Sequence, residues 1–336
     1  MPGIRKRGEE IRDFILRNIT DVKSIAAVTA KQFNISLPAV YKHIDRLAVD
    51  KLIVKKQGKY IIRSEKFRYN FKINKKLSED GAWENDIKMH FADNPQNIKS
   101  IWVYGFLEIF NNAIEHSKGN EIRVNIEKNK VFTTLSISDN GIGIFINIKN
   151  KFRLLDEKDA LLELAKGKRT TDKTRHSGQG IFFTSKVFDE FAIVSNGIIF
   201  APKKDGNSST KAGVRQSGSS TLICMSLAND SGKMLKNVFD EFSTEIPGDF
   251  DRTIVPVHLA NSDDLVSRSQ ARRVLSGLEL FREVILDFQD VKYIGQAFAD
   301  EIFRVFPNMY PAVKIIEANS NPDVQNMINR ARNTKV

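Results

Sequence analysis

The chain has 336 residues, room for two or three domains, and its 41% hydrophobic and 28% charged residues are the balance of a soluble globular protein. No apolar run reaches membrane-spanning length and no signal-peptide pattern is present, so no membrane partner is expected. The single cysteine, Cys224, lies in the apolar run Leu222–Met225, cannot form an internal disulfide, and fits a cytoplasmic location as a core residue.

The net charge of +11 is concentrated at one end. Residues 1–76 carry 19 Lys+Arg and 7 Asp+Glu, whereas the rest of the chain nearly balances, with 33 basic and 34 acidic residues. A basic end on an otherwise neutral chain is the electrostatic footprint of a polyanion partner, which points to nucleic acid. The local pattern agrees. Glu9–Ile19 is amphipathic, Ser24–Phe33 is a compact alanine-rich helix, and Asn34-Ile35-Ser36 turns the chain into a third helix, Pro38–Val49. Ser36 is placed to cap that helix and Pro38 lies in its first turn. Val40, Ile44 and Leu47 fall on its buried side, leaving Tyr41, Lys42, His43, Asp45 and Arg46 outside. Leu52–Ile62 then reads as two short strands about a glycine, with lysines at the tip. Three helices and a basic hairpin resemble a winged helix-turn-helix. The resemblance implies double-stranded DNA as partner, with Pro38–Arg46 as recognition helix and Tyr41, Lys42, His43 and Arg46 as contacts. Lys55, Lys56 and Lys59 would then lie on backbone phosphates. The same fold also occurs as a protein-docking module, and His43 reads equally well as a solvated surface histidine.

Residues 64–100 show little periodicity. Trp83–Phe91 reads as a helix joining two domains, and His90, followed by Phe91 rather than an acidic residue, does not have the setting of a phospho-acceptor histidine.

The motifs that carry chemistry lie between 108 and 221. Glu108-Ile109-Phe110-Asn111-Asn112-Ala113-Ile114-Glu115-His116-Ser117 reads as a helix on which Glu108 and Asn112 share a face. An amide oxygen there can ligate Mg²⁺, and a carboxylate beside it can orient or deprotonate a water. The same decamer also reads as a solvated polar face. Val131–Ile137 is a β-branched strand leading into Asp139-Asn140-Gly141-Ile142-Gly143. An ionised Asp at a strand end suits an amino group such as adenine N6, although a plain Asn-Gly turn is the other reading. Ser177-Gly178-Gln179-Gly180 opens an apolar helix, Ile181–Phe191, a setting for phosphate binding by backbone N–H groups. The basic stretch from Lys166 to His176, which includes Lys168, precedes it and is expected to fold over phosphates as a lid or to be a solvated loop.

Taken together these residues resemble the GHKL (Bergerat-fold) ATPases: gyrase, Hsp90, the MutL mismatch-repair proteins and histidine kinases. Glu108 corresponds to the water-activating position and Asn112 to the Mg²⁺ position. Asp139, Gly141 and Gly143 resemble the adenine box, Gly178 and Gly180 the second glycine box, and Gly218-Ser219-Ser220-Thr221 the late Gly-x-x-Thr strand. Gln179-Gly180-Ile181-Phe182 departs from the family's usual Gly-Leu-Gly. The resemblance implies ATP and Mg²⁺ as cofactors and a weak ATPase activity. Phe191–Ser195 and Gly197–Ala201 form an expected hairpin, and 203–219 is an expected loop.

From about Asp249 strands and helices alternate: Thr253–Leu259, Ser267–Phe281, Val284–Phe288, Gln296–Phe306, Val313–Ala318 and Pro322–Arg332. Such alternation predicts a parallel α/β domain, and it resembles the STAS-like domains of anti-sigma factor antagonists. Where classical members present a phosphorylatable serine, this chain reads Gly295-Gln296-Ala297-Phe298, so the resemblance implies an interaction domain for a protein partner without that acceptor. Ser267, Arg268 and Arg273 read either as a polar or anionic patch or, in preference, as a solvated helix face.

The expected fold class is multi-domain α+β: a winged helix-turn-helix (1–66), a connecting segment (67–100), a GHKL α/β sandwich (101–230) and a small STAS-like α/β domain (245–336). The expected function is an ATP-responsive DNA-binding regulator in which lid closure acts on the winged helix, an arrangement compatible with a homodimer. The alternatives are an anti-sigma-type serine/threonine protein kinase acting on a separate partner, and a nucleotide-binding protein without chemistry.

Overall fold

The computed structural model describes residues 2–19, 24–167, 179–202, 208–212, 220–246, 249–260 and 265–334. The expected lid from 168 onward, with Lys168 and Gly178, lies outside the described residues. Contacts divide the chain into two units, one holding 1–69, 124–135 and 226–231, the other 70–123, 136–225 and 232–336.

The first unit begins with α1 (Pro2–Asn18), α2 (Ile25–Phe33) and α3 (Leu37–Val49), followed by the antiparallel pair β1 (Ile53–Lys56) and β2 (Lys59–Ile62). Asn34 stops α2 by turning left-handed at φ 49°, a conformation that its short polar side chain tolerates. Ser36 then starts α3 by accepting the Ala39 N–H through its hydroxyl at 3.4 Å. Ile11, Ile15 and Leu16 of α1 meet Val40, Ile44 and Leu47 of α3, with Ile25, Ala26, Ile53 and Ile62 closing one core.

In the remaining chain, β3 (Glu65–Lys72) is followed by α4 (Glu79–Ala82), a wide π-helical turn over Trp83–Ile87, a tight 3-10 turn over Lys88–Phe91, and the 21-residue α5 (Gln96–His116). Next come β4 (Glu121–Lys128), β5 (Phe132–Asp139), α6 (Ile144–Phe152), α7 (Glu157–Lys166), α8 (Gly180–Val187), β6 (Glu190–Ser195), β7 (Ile198–Pro202), β8 (Ser208–Ala212), β9 (Thr221–Ala228) and α9 (Leu235–Glu241). One seven-stranded sheet results, in the order β3-β4-β5-β9-β6-β7-β8. Residues 67–100, expected as a connector, instead supply most of its edge strand and two buried rings, Trp83 and Phe91, stacked with centroids 5.5 Å apart. β6 and β7 pair antiparallel about Asn196-Gly197, as the hairpin reading expects.

The C-terminal part holds β10 (Arg252–Pro256), α10 (Arg268–Leu275), β11 (Glu283–Asp287), α11 (Gln296–Asp300), α12 (Phe306–Met309), β12 (Lys314–Ala318) and α13 (Pro322–Asn333). Its strands are parallel in the order β10-β11-β12. The expected helix over Ser267–Phe281 is shorter, because Ser276 leaves helical geometry and Gly277 turns left-handed at φ 83°. The expected strand Thr253–Leu259 likewise ends at Pro256, in a tight turn over Val257–Ala260. Among the described residues, no helix is long and apolar enough to cross a membrane.

Candidate functional site

A cavity of about 280 Å³ opens between α5, α6, α7, the start of α8 and strands β5 and β9. That volume lies near the lower end of the range for small-molecule sites. Helix α5 contributes Glu108, Asn112 and His116 to its wall, spaced four residues apart on one face, as the sequence predicts. Ile109 and Ala113 also reach it from the helix's buried side. Tyr104 stands one turn before Glu108 on α5, and its hydroxyl pKa is pushed up by burial and by the Glu108 carboxylate.

Asp139 ends β5 at the cavity and Thr221 begins β9 beside it. The Gly141 N–H donates to Asp139 Oδ1 at 2.8 Å. Burial raises the Asp139 pKa above the ordinary carboxylate value, opposed by hydrogen bonds from Gly141 and from the Thr221 backbone and hydroxyl. The Thr221 hydroxyl in turn accepts the Ile144 N–H at 3.0 Å, fixing the start of α6. The glycines have distinct jobs. Gly141 does not line the cavity; a Cβ there would stand 1.9 Å from the Ser117 carbonyl oxygen, so only glycine lets the turn after β5 close on the end of α5. Gly143 does line it, at φ 92°.

Gly180 opens α8 against Glu108, and a Cβ on it would lie 1.9 Å from Glu108 Oε2. Gly180→Ala is therefore expected to push the carboxylate out of place while adding helix propensity to α8. An ångström of displacement at a reacting group can lower turnover by about 10²-fold. If the site turns over ATP, as the resemblance to the GHKL ATPases implies, steady-state turnover beside a thermal melt checks this, with loss of turnover and an unchanged or raised melting temperature expected.

The sequence motifs omit several of the walls. Ile144, Asn147, Ile148 and Phe152 reach the cavity from α6 at helical spacing, and Asn147 Nδ2 donates to the His116 carbonyl at 2.9 Å. Glu163, Leu164 and Gly167 come from α7 and its end. The recurrence at i, i+3, i+4 and i+8 along α6 was a readable signal; α7 carried none.

Lys166, expected as the first basic residue of a phosphate-covering lid, is instead 2% exposed, and its ammonium donates to Glu163 Oε1 at 2.8 Å and to the carbonyls of Arg273 and Ser276 at 2.8 and 2.9 Å. A buried ammonium has three donors to satisfy, and these acceptors satisfy them. Ser267, Arg268 and Arg273, read either as a patch or as a solvated helix face, each have a partner of their own. Ser267 caps α10 in a capping box with Gln270, Arg268 approaches Asp300 at 3.9 Å, and Arg273 pairs with Asp159 of α7 at 3.3 Å.

The implied ATP–Mg²⁺ fits what is present. The lining holds a carboxylate acceptor with backbone donors, Asp139, and an Asn–Glu pair on α5 beside a helix that starts at a glycine. Among the described residues no group of three or more His, Cys, Asp and Glu forms a metal cluster, so a Mg²⁺ held by Asn112 would draw its remaining ligands from phosphate oxygens and water.

In the first unit Tyr41, Lys42, Arg46, Lys55, Lys56 and Lys59 are exposed, whereas His43 is half-buried. Burial, followed by the Arg12 guanidinium, lowers the His43 pKa and so disfavours its charged form. Arg46 forms an exposed pair with Asp50 at 3.2 Å, a contact weak enough to exchange for another anion. Lys56 lies opposite Lys59 in the hairpin, which places like charges side by side.

Residues 270–325 match the family described as a STAS-like domain of unknown function (DUF4325). The C-terminal part of this multi-domain α/β chain is therefore a STAS-like domain, as the sequence predicts. No curated protein matches the chain.

Proposed function

We propose that the protein is an ATP-binding, slowly hydrolysing, DNA-binding regulator, with a GHKL-type nucleotide site, a winged-helix reader at its basic end and a STAS-like domain for a protein partner. The observation that carries this reading is the convergence of Glu108 and Asn112, Asp139 and Gly143, Gly180, and Thr221, four separate stretches of the sequence, on one cavity. Asp139 accepts the adenine amino group, and Thr221 holds Asp139 and the start of α6 together. Asn112 offers an amide oxygen to Mg²⁺, whose charge, when bound, would offset that of the phosphates. Glu108 orients the attacking water and receives its proton. The reader is supported by three helices and a hairpin around one core, with exposed basic side chains on α3 and at the hairpin tip.

Duplex DNA binding by the full chain at two salt concentrations, with and without ATP–Mg²⁺, tests the whole reading. Salt-sensitive binding that shifts with nucleotide supports it, and no binding under any condition removes DNA from it. Exchange of Lys55, Lys56 and Lys59 for glutamine is expected to weaken binding to all sequences alike. It should also flatten the slope of log K against log salt by roughly one unit for each phosphate no longer neutralised. An unchanged slope would remove the hairpin from the interface.

A further inference from the structure

Helix α7 forms one wall of the cavity, and on its other sides it packs against α6, α8, β10 and the turn after β10. Its sequence, Glu157–Lys166, has the look of an ordinary surface helix, but nearly every described side chain along it is buried, including Asp159, Glu163 and Lys166 at 7%, 5% and 2% exposure. Each of these charges has a partner. Near the first turn of α7, Asp159 receives the Arg273 guanidinium from α10 at 3.3 Å. At the last turn, Lys166 takes Glu163 from its own helix and then donates to the carbonyls of Arg273 and Ser276. Those carbonyls belong to the C-terminal end of α10, where backbone acceptors lack intrahelical partners and the helix dipole favours a cation. A lysine of α7 thus caps a helix of the STAS-like domain. The return contact comes from β10, where the fully buried Thr253 hydroxyl donates to the Lys166 carbonyl at 2.9 Å. Both ends of α7 are therefore pinned to β10 and α10, while Glu163, Leu164 and Gly167 face the cavity.

We propose that the STAS-like domain sets the affinity of the nucleotide site through this contact, with Lys166, Thr253 and Arg273 as positioning residues and α7 as the element that both sites hold. The inference rests on the nucleotide reading of the cavity and adds its regulation. Anything that draws α10 and β10 away from α7 removes a wall of the site. By thermodynamic reciprocity, a ligand that requires α7 in place tightens the STAS-like domain onto it. A protein partner on that domain and nucleotide in the cavity then act on one equilibrium, each by its differential affinity for the docked arrangement.

The test uses the full chain and Mg²⁺ with a fluorescent ATP analogue. Thr253→Val keeps the side-chain shape and removes the hydroxyl, and Arg273→Gln removes the ion pair; neither residue lines the cavity. Each is expected to weaken the analogue by about fivefold or more, the lower range of site-to-site coupling. Lys166→Met is expected to do more, and a circular-dichroism melt identifies any variant that has lost its fold. The second readout is amide hydrogen exchange, where nucleotide should slow exchange over 253–276 in the wild type and less so in Thr253→Val. A folded pair of variants that bind as the wild type does, with exchange over 253–276 indifferent to nucleotide, overturns the inference alone. A wild-type chain that binds no nucleotide overturns the nucleotide reading and this inference with it.

Discussion

Glu108→Ala is expected to lower ATP turnover by about 10²–10⁴-fold, the usual contribution of a positioned general base, while leaving nucleotide affinity nearly unchanged. The reasoning is geometric. Glu108 stands on the α5 face that also carries Asn112, with its Oε2 directed to the backbone at Gly180, where α8 begins. Under the proposed nucleotide reading, a carboxylate in that position would touch the reacting water rather than the adenine end, so its loss would belong to the transition state and not to ground-state binding. Turnover and equilibrium binding measured on the same preparation separate the two. A parallel fall in both would make Glu108 a binding residue. Undiminished transfer of the γ-phosphate to a partner protein by the alanine variant would instead favour the kinase alternative.

Asp139→Asn is expected to weaken ATP by roughly 1.5–3 kcal/mol, or ~10–150-fold, because an acceptor-only carboxylate is replaced by a group that can present N–H to the N–H of adenine. The same change is expected to make the empty protein more stable at neutral pH. Burial raises the folded-state pKa of Asp139 above its unfolded value. The stabilisation that goes with its proton is therefore fully present below the unfolded pKa and is lost as pH rises through the folded one. Asparagine does not titrate, so the difference in melting temperature between variant and wild type should shrink on acidification through that window. Loss of affinity together with a melting temperature equal to or above that of the wild type would mark Asp139 as a residue kept for the ligand at a cost to the fold. A variant that binds ATP normally would remove Asp139 from the adenine site.

What the sequence disclosed about this site was local or strongly patterned. Glu108 and Asn112 share a helix face because four residues make about one turn, and Asp139 ends a β-branched strand at a glycine turn that only close packing explains. Thr221 was readable as the first residue of an apolar strand, and Ser36 with Pro38 announced the start of α3. What stayed hidden depended on partners far along the chain. The α7 wall gave no signal because its polar partners, Arg273, Ser276 and Thr253, lie about a hundred residues further on. Residues 67–100 looked like a connector because β3 is an edge strand of mixed polarity, with no side chain fully buried along it. The basic lid reading failed at Lys166 for the same reason: local charge density predicts exposure until a distant set of carbonyls collects the ammonium.

The strand order of the large sheet governs how the protein can be made. β9 is the seventh of its strands to appear in sequence, yet it lies between β5 and β6. During synthesis from the ribosome, β5 and β6 must therefore wait with unpaired edges until residue 228 has emerged. Thr221 arrives with that same strand, so no nascent chain that ends earlier has a finished cavity wall. The interval exposes β-rich edges of the kind that pair wrongly with neighbouring chains. A chaperone that shields them would act before β9 appears, and a bound nucleotide could help only after it.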